Sequence, residues 1–233
     1  MGDDVDGSAP GDEVLGFKTL ACYAELVTVS TDQIVRRQRE MPWEEAGAFS
    51  APGQTALEAL AVGAGETVLI HAAAGGVGTV AVQLARARGA TVIGTASESN
   101  HAYLRALGAI PTMYGPGLID RVRALAPQGV DAALDAAGRG ALLASVERVG
   151  DRDRIVTIVD LDLAERLGVR GIRGQRSAAR LAELIRHYER GELRIHVRRA
   201  FPLPEAAAAH REVERGHGRG KVVLTVADPP PRP

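Results

Sequence analysis

With 233 residues, 45% of them hydrophobic, the chain has material for one full domain and part of another, and at 3% aromatics its core must be built from Ala, Val, Leu and Ile. Its 28 basic and 29 acidic residues leave a net charge of −1, which gives no electrostatic footprint for nucleic acid, and its single cysteine excludes an intrachain disulfide and a cysteine-rich zinc lobe. No signal-like opening and no apolar run near the ~18 residues of a membrane span are present, so a cytoplasmic protein without nucleic-acid or membrane partners is expected.

Residues 1–10 are acidic, small and turn-rich and read as a segment without structure of its own. Glu13–Phe17 and Tyr23–Val29 read as two short strands around a Lys18–Cys22 turn, too few to form a domain alone. Residues 42–62 read as helical, with Pro42 suited to a first turn and Pro52-Gly53 interrupting the pattern. From Thr67 the pattern changes. Thr67–His71 is a β run; a helix follows through about Arg88, stopped by Gly89; Ala90–Thr95 is the next strand. Asn100–Leu107 is a helix, Thr112–Tyr114 a short strand, and Leu118–Leu125 a helix. Val130–Leu134 is a strand, Ala141–Val149 a helix, and Arg154–Val159 a strand. Strands alternating with short helices predict βαβ units and a doubly wound parallel sheet, buried on both faces and therefore continuously apolar. Residues 161–176 read as a polar loop. A helix Ser177–Arg190, an extended stretch Arg194–Ala200, a helix Pro204–Glu214 and a last strand Lys221–Val226 complete the pattern, and the tail from Asp228 reads as disordered.

The stretch Ala72-Ala73-Ala74-Gly75-Gly76-Val77-Gly78 lies between a clear strand and a clear helix. Small residues there let the backbone turn tightly and approach a pyrophosphate, while the helix N-terminus offers free N–H groups and a positive dipole end. Gly78 permits close strand–helix packing. A Gly-rich turn alone is a weak signal; the strand and helix on either side supply the required context. The second strand bears on the cofactor. An NAD site places Asp or Glu near its end, on the ribose 2′-OH. Here it ends Thr95-Ala96-Ser97, and Ser97 either donates to a 2′-phosphate or caps the next helix.

The other constellations are weaker. The six histidines show no metal-ligand spacing. Asp131 and Asp135 flank a strand, too far apart to share a proton, and Asp135 reads as a loop-ordering residue at the crevice end rather than an acid/base. Cys22 reads as a packed small hydrophobe. The basic run 168–176 reads as a solvated loop. No catalytic side chain can be named.

Ordered segments now carry a family resemblance: 10–17 (PGDEVLGF), 24–29, QTAL at 54–57, 67–97, 104–109, 129–138, 154–158 and GHGRGKVVL at 216–224. Together they resemble the zinc-independent quinone oxidoreductase and polyketide enoylreductase-like branch of the medium-chain dehydrogenase/reductase superfamily. The resemblance implies a Rossmann-type NADP(H)-binding domain at 61–194. Remnants of a GroES-like catalytic domain would lie at 1–60 and 195–227, with a disordered tail at 228–233. It implies that Ala74, Gly75, Gly76, Val77 and Gly78 line the pyrophosphate, that Ser97 and Tyr114 sit by the 2′-phosphate, and that Thr55, Gly138 and Ile158 lie near the nicotinamide. The lysine often found just after that serine is absent, and Asn100 stands nearby. Arg219 and Lys221 fall in the C-terminal motif and read as solvated charges beside a strand. Family members carry roughly 70–80 further N-terminal residues forming most of the GroES-like domain, so a truncated form is implied. The implied activity is NADPH-dependent reduction of a small-molecule quinone or α,β-unsaturated carbonyl. The alternatives are a repurposed fold catalysing a cyclase or isomerase step, or a non-catalytic nucleotide-binding protein. A homodimer is implied, joined through the last sheet strand near Arg154–Val159.

Overall fold

The computed structural model describes residues 7–216 and 218–226. The expected disorder of 228–233 lies outside them. Two short strands, β1 (Val14–Gly16) and β2 (Ile34–Arg36), pair antiparallel ahead of a long helix, α1 (Trp43–Ala59). The βα alternation then runs through β3 (Thr67–His71), α2 (Gly76–Ala87), β4 (Thr91–Thr95), α3 (His101–Ala106), β5 (Ile110–Thr112) and α4 (Leu118–Leu125). It continues with β6 (Ala132–Asp135), α5 (Ala141–Arg148), β7 (Ile155–Thr157), α6 (Leu161–Leu167), β8 (Arg170–Gly171) and α7 (Ala178–Glu189). A last unit, β9 (Val197–Pro202), α8 (Ala206–Glu214) and β10 (Lys221–Thr225), forms a two-stranded parallel sheet.

The main sheet has six parallel strands in the order β5-β4-β3-β6-β7-β8. The strand order reverses between β3 and β6, with β4 and β5 added on one side and β6 to β8 on the other, which opens a crevice at the carboxyl ends of those two strands. Side chains alternate between two cores. Val68, Ile70, Val92, Leu134 and Val156 pack on one face with α1, α2 and α7. Leu69, Ile93, Ala133 and Ile155 pack on the other with Val122 of α4 and Leu142 of α5. Both faces are apolar, so the expected Rossmann-type class is the observed one.

Several local expectations are corrected. Tyr23–Val29 is not a strand: it has no ladder partner, Leu26 is 87% exposed, and β1 pairs instead with β2. Extended backbone becomes a strand only where a neighbour accepts its hydrogen bonds. Cys22 in the preceding turn is exposed rather than packed. Pro52-Gly53 does not break α1. Both residues are buried, and the missing Cβ of Gly53 admits Leu184 of α7, so tertiary packing outweighs the lost backbone bond. The 161–176 segment contains α6, capped by the Asp160 carboxylate on Leu163 N (3.2 Å) and ended by Gly168 at φ 64°. It also holds β8, so β7 is an interior strand and this edge of the sheet lies at Arg170–Gly171, not at Arg154–Val159. Among the described residues no helix is long and apolar enough to cross a membrane.

Candidate nucleotide site

Five neighbouring strands of the sheet end in a buried polar residue: His71, Thr95, Thr112, Asp135 and Thr157. Each sits where the apolar strand gives way to a loop over the crevice, and the side chains of Thr95, Asp135 and Thr157 tie down backbone there. Thr95 Oγ1 accepts from Ala72 N (3.2 Å), fixing the first residue of the small-residue loop. Ala72 itself is held at φ 52°, a conformation that costs a non-glycine residue about 1 kcal/mol and here turns the chain out of β3. Asp135 Oδ1 accepts from Ala137 N and Gly138 N (2.9 and 2.8 Å), and its other oxygen accepts from Thr157 Oγ1 (3.0 Å). Asp135 therefore orders the loop after β6, as its position suggested. His71 Nε2 lies 3.0 Å from Ser145 Oγ, and burial pulls its pKa from 6.5 down to about 4, against the opposing pull of Asp135.

The loop Ala72–Gly75 leads into α2 without a side-chain cap. Among the described residues the amides of Val77 and Gly78 make no backbone hydrogen bond, so a twelve-residue helix presents free donors at its N-terminus. Gly78 is sterically required, because a Cβ there would stand 2.2 Å from Ala72 O and 2.7 Å from Ala73 Cα. The C-terminal segment closes over this loop. Gly220 N donates to Ala74 O (3.0 Å), and the aliphatic part of Lys221 lies across Gly76. Lys221 is partly buried, and its pKa is lowered by burial first and by Arg176 and Arg198 next.

A cavity of about 980 Å³ opens at the crevice. It brings together Ala74, Gly75, Ser97, Tyr114 and Gly138 from four separate loops. Gly76, Val77 and Gly78 stand just behind Gly75, with the Val77 side chain packed on the core. Thr55 and Ile158 do not line the cavity. Thr55 Oγ1 donates to Ala51 O (2.8 Å) under Gly174, and Ile158 is partly buried against the core. The Ser97 hydroxyl does not cap the helix that follows. It accepts from Asn100 Nδ2 (3.0 Å) and lies 3.1 Å from Ser99 Oγ. Arg219 is not a solvated charge: its Nε donates to Asn100 Oδ1 (3.1 Å), and its guanidinium stacks 4.3 Å from the Tyr103 ring centroid. Sequence reasoning missed the buried strand-end residues His71, Thr95 and Thr157 as a set. Their signal was available, since each apolar run stops on a polar side chain. The size and donors of the cavity fit a dinucleotide: small residues on its floor, free amides at α2, and neutral hydroxyls at the end of β4. Among the described residues, no group of three or more His, Cys, Asp or Glu is placed to hold a metal ion.

Comparison with known proteins agrees in fold and sequence. A family profile described as zinc-binding dehydrogenase matches residues 117–224. A quinone oxidoreductase of Pseudomonas aeruginosa is 30% identical over 253 residues, which cover 93% of this chain and 78% of that protein. The solved quinone oxidoreductase from Coxiella burnetii superposes with a TM-score of 0.85 at 36% identity, covering 97% of this chain and 76% of that one. A mycobacterial protein solved in complex with NADPH, Rv1454c, superposes at 0.74 with 28% identity over 87% of this chain and 70% of that one. Polyketide synthases also align, among them erythronolide synthase EryA2 of Saccharopolyspora erythraea at 35% identity over 98% of this chain. The chain spans 11% or less of the length of the first four synthases matched.

Proposed function

Because the chain belongs to the quinone oxidoreductase and enoylreductase-like branch of the medium-chain dehydrogenase/reductase superfamily, we propose that it is an NADPH-dependent reductase of a quinone or an α,β-unsaturated carbonyl compound. The observation that carries this reading is the single cavity joining Gly75 and Gly138 to Ser97 and Tyr114, with no carboxylate at the end of β4. When bound, the nicotinamide supplies a hydride to an electrophilic carbon. The chain's own residues then bind and orient. The amides of Val77 and Gly78 receive the pyrophosphate at the positive end of α2. Ser97 and Tyr114 face the 2′-phosphate, and the loop held by Asp135 presents Gly138 to the nicotinamide half. Thr55 and Ile158, which the resemblance puts near the nicotinamide, stand outside the cavity lining.

We read residues 61–194 as the cofactor domain, with 1–60 and 195–227 as parts of the catalytic domain. On this reading the homodimer implied by the resemblance would pair through β8, one of the two edge strands of the sheet. The protein is assayed by NADPH fluorescence on titration and by loss of 340 nm absorbance with a panel of quinones and enones. Enhanced fluorescence together with turnover of at least one acceptor is the expected result; neither signal with any acceptor rejects the reading.

A further inference from the structure

We infer that Arg219 is the residue by which the adenosine end of the cleft selects a 2′-phosphate. The inference rests on the dinucleotide reading above and names the charge that reading leaves unassigned. The loop after β4, Thr95-Ala96-Ser97-Glu98-Ser99-Asn100, contains no cation and one exposed acid. A phosphate monoester beside Ser97 therefore finds hydroxyl and amide donors on this loop but no compensating positive charge. The structure brings one from 119 residues away in sequence.

Three contacts fix Arg219 there. Its Nε donates to Asn100 Oδ1 (3.1 Å), and Asn100 Nδ2 in turn donates to Ser97 Oγ (3.0 Å). This relay sets the Asn100 amide orientation and fills one acceptor site of the Ser97 hydroxyl, which also lies 3.1 Å from Ser99 Oγ. The guanidinium also lies on the Tyr103 ring, 4.3 Å from its centroid, and the Tyr103 hydroxyl is anchored to Thr79 Oγ1 of α2 (3.3 Å). The backbone beside Arg219 is tied to the phosphate loop by Gly220 N donating to Ala74 O (3.0 Å). Arg219 is thus pre-positioned at little further entropic cost. Only its Nε is engaged. Among the described residues, neither Nη makes a hydrogen bond or an ion pair, whereas Arg198 of β9 is paired with Glu212 (3.7 Å). A fixed planar fork of free N–H donors that stays charged at every working pH suits a phosphate dianion and gains little from a neutral ribose hydroxyl. The ligand class is a nucleotide bearing a 2′-phosphate monoester on its adenosine ribose.

The test compares four probes, NADPH, NADH, 2′,5′-ADP and 5′-AMP, by calorimetric titration against the full chain and its Arg219→Gln and Arg219→Lys variants. Arg219→Gln should weaken NADPH and 2′,5′-ADP by about 10- to 100-fold, the loss of a charge-assisted contact, and leave NADH and 5′-AMP within about 2-fold. Arg219→Lys, which keeps the charge without the fork, should recover part of the loss. Added salt should narrow the gap between NADPH and NADH in the wild type more than in Arg219→Gln. Equal weakening of all four probes, or unchanged NADPH affinity in Arg219→Gln with an unaltered unfolding midpoint, overturns the inference. Wild-type protein that binds none of the probes overturns it together with the dinucleotide reading. Selective NADPH binding without turnover of any acceptor would sustain the inference while rejecting the reductase.

Discussion

His71 closes β3 beneath the phosphate loop at 1% exposure, and its titration offers a direct measure of how tightly the crevice floor is sealed. Burial lowers its pKa from 6.5 to about 4, so at neutral pH the native protein holds a neutral imidazole between Ser145 and Thr95. The unfolded chain takes up a proton near 6.5. Since the unfolded state binds more protons between those two values, stability rises with pH across that window. It is intact above about pH 6.5 and is lost as pH falls toward 4. At ~1.4 kcal/mol per pH unit, the gap corresponds to roughly 3 kcal/mol in full, of which roughly 2 kcal/mol is lost by pH 5. Urea unfolding of the wild type and His71→Gln at several pH values from 7.5 to 5 would read this. The variant should begin less stable at pH 7.5 by about 1 kcal/mol, for imperfect replacement of the buried contacts. Its stability should then fall more gently, so the two curves cross and the variant ends about 1 kcal/mol more stable than the wild type at pH 5. Parallel curves would show that His71 protonates as easily in the folded protein as in the unfolded chain, and the account of a sealed crevice floor would be wrong.

Two further perturbations probe the loops above that floor. Gly78→Ala should destabilise by about 1–3 kcal/mol and weaken NADPH, because its Cβ meets backbone at 2.2 Å and α2 must part from the loop. Gly47→Ala, on the exposed face of α1 with nothing within 4 Å of the added Cβ, should stabilise by about 1 kcal/mol. A thermal melt of both variants checks the contrast; equal effects would refute the steric argument. Asp135→Ala leaves two loop amides and the Thr157 hydroxyl without their acceptor and should cost about 2–4 kcal/mol, whereas Asp135→Asn keeps an oxygen for Ala137 N and Gly138 N and should cost about half that. Denaturant midpoints order the three proteins, and an Asn variant as unstable as Ala would point to the charge rather than to the hydrogen bonds.

Much of the fold was legible because its signals are local. Thr67–His71 and the strand ending at Thr95 announce themselves by apolar runs, and helices α2 to α5 by apolar spacing between glycines. Helix α6 was also legible in principle, from its Asp160 cap and the Gly168 that ends it, but its charged face reads as a loop when only polarity is weighed. At the site, the small-residue loop and Ser97 could be found from sequence because each sits at a strand-to-helix junction, where the chemistry follows from position in the chain. Tyr114, Gly138, Thr55 and Ile158 came from resemblance, and the structure separates them: the first two line the cavity and the last two do not.

By itself, then, the sequence determined a doubly wound parallel sheet, a helix N-terminus built of small residues and a second strand ending without an acid. These depend on neighbours a few residues apart. Tertiary structure alone decided which extended segments became strands, since Tyr23–Val29 lacks the partner that Ile34–Arg36 finds in β1. It also decided where the sheet ends, through two residues at Arg170–Gly171. And it decided that Arg219, read as a solvated charge, rests on Tyr103 and bonds Asn100. Strand pairing and ion placement are settled by chain closure over many tens of residues, which no local pattern encodes.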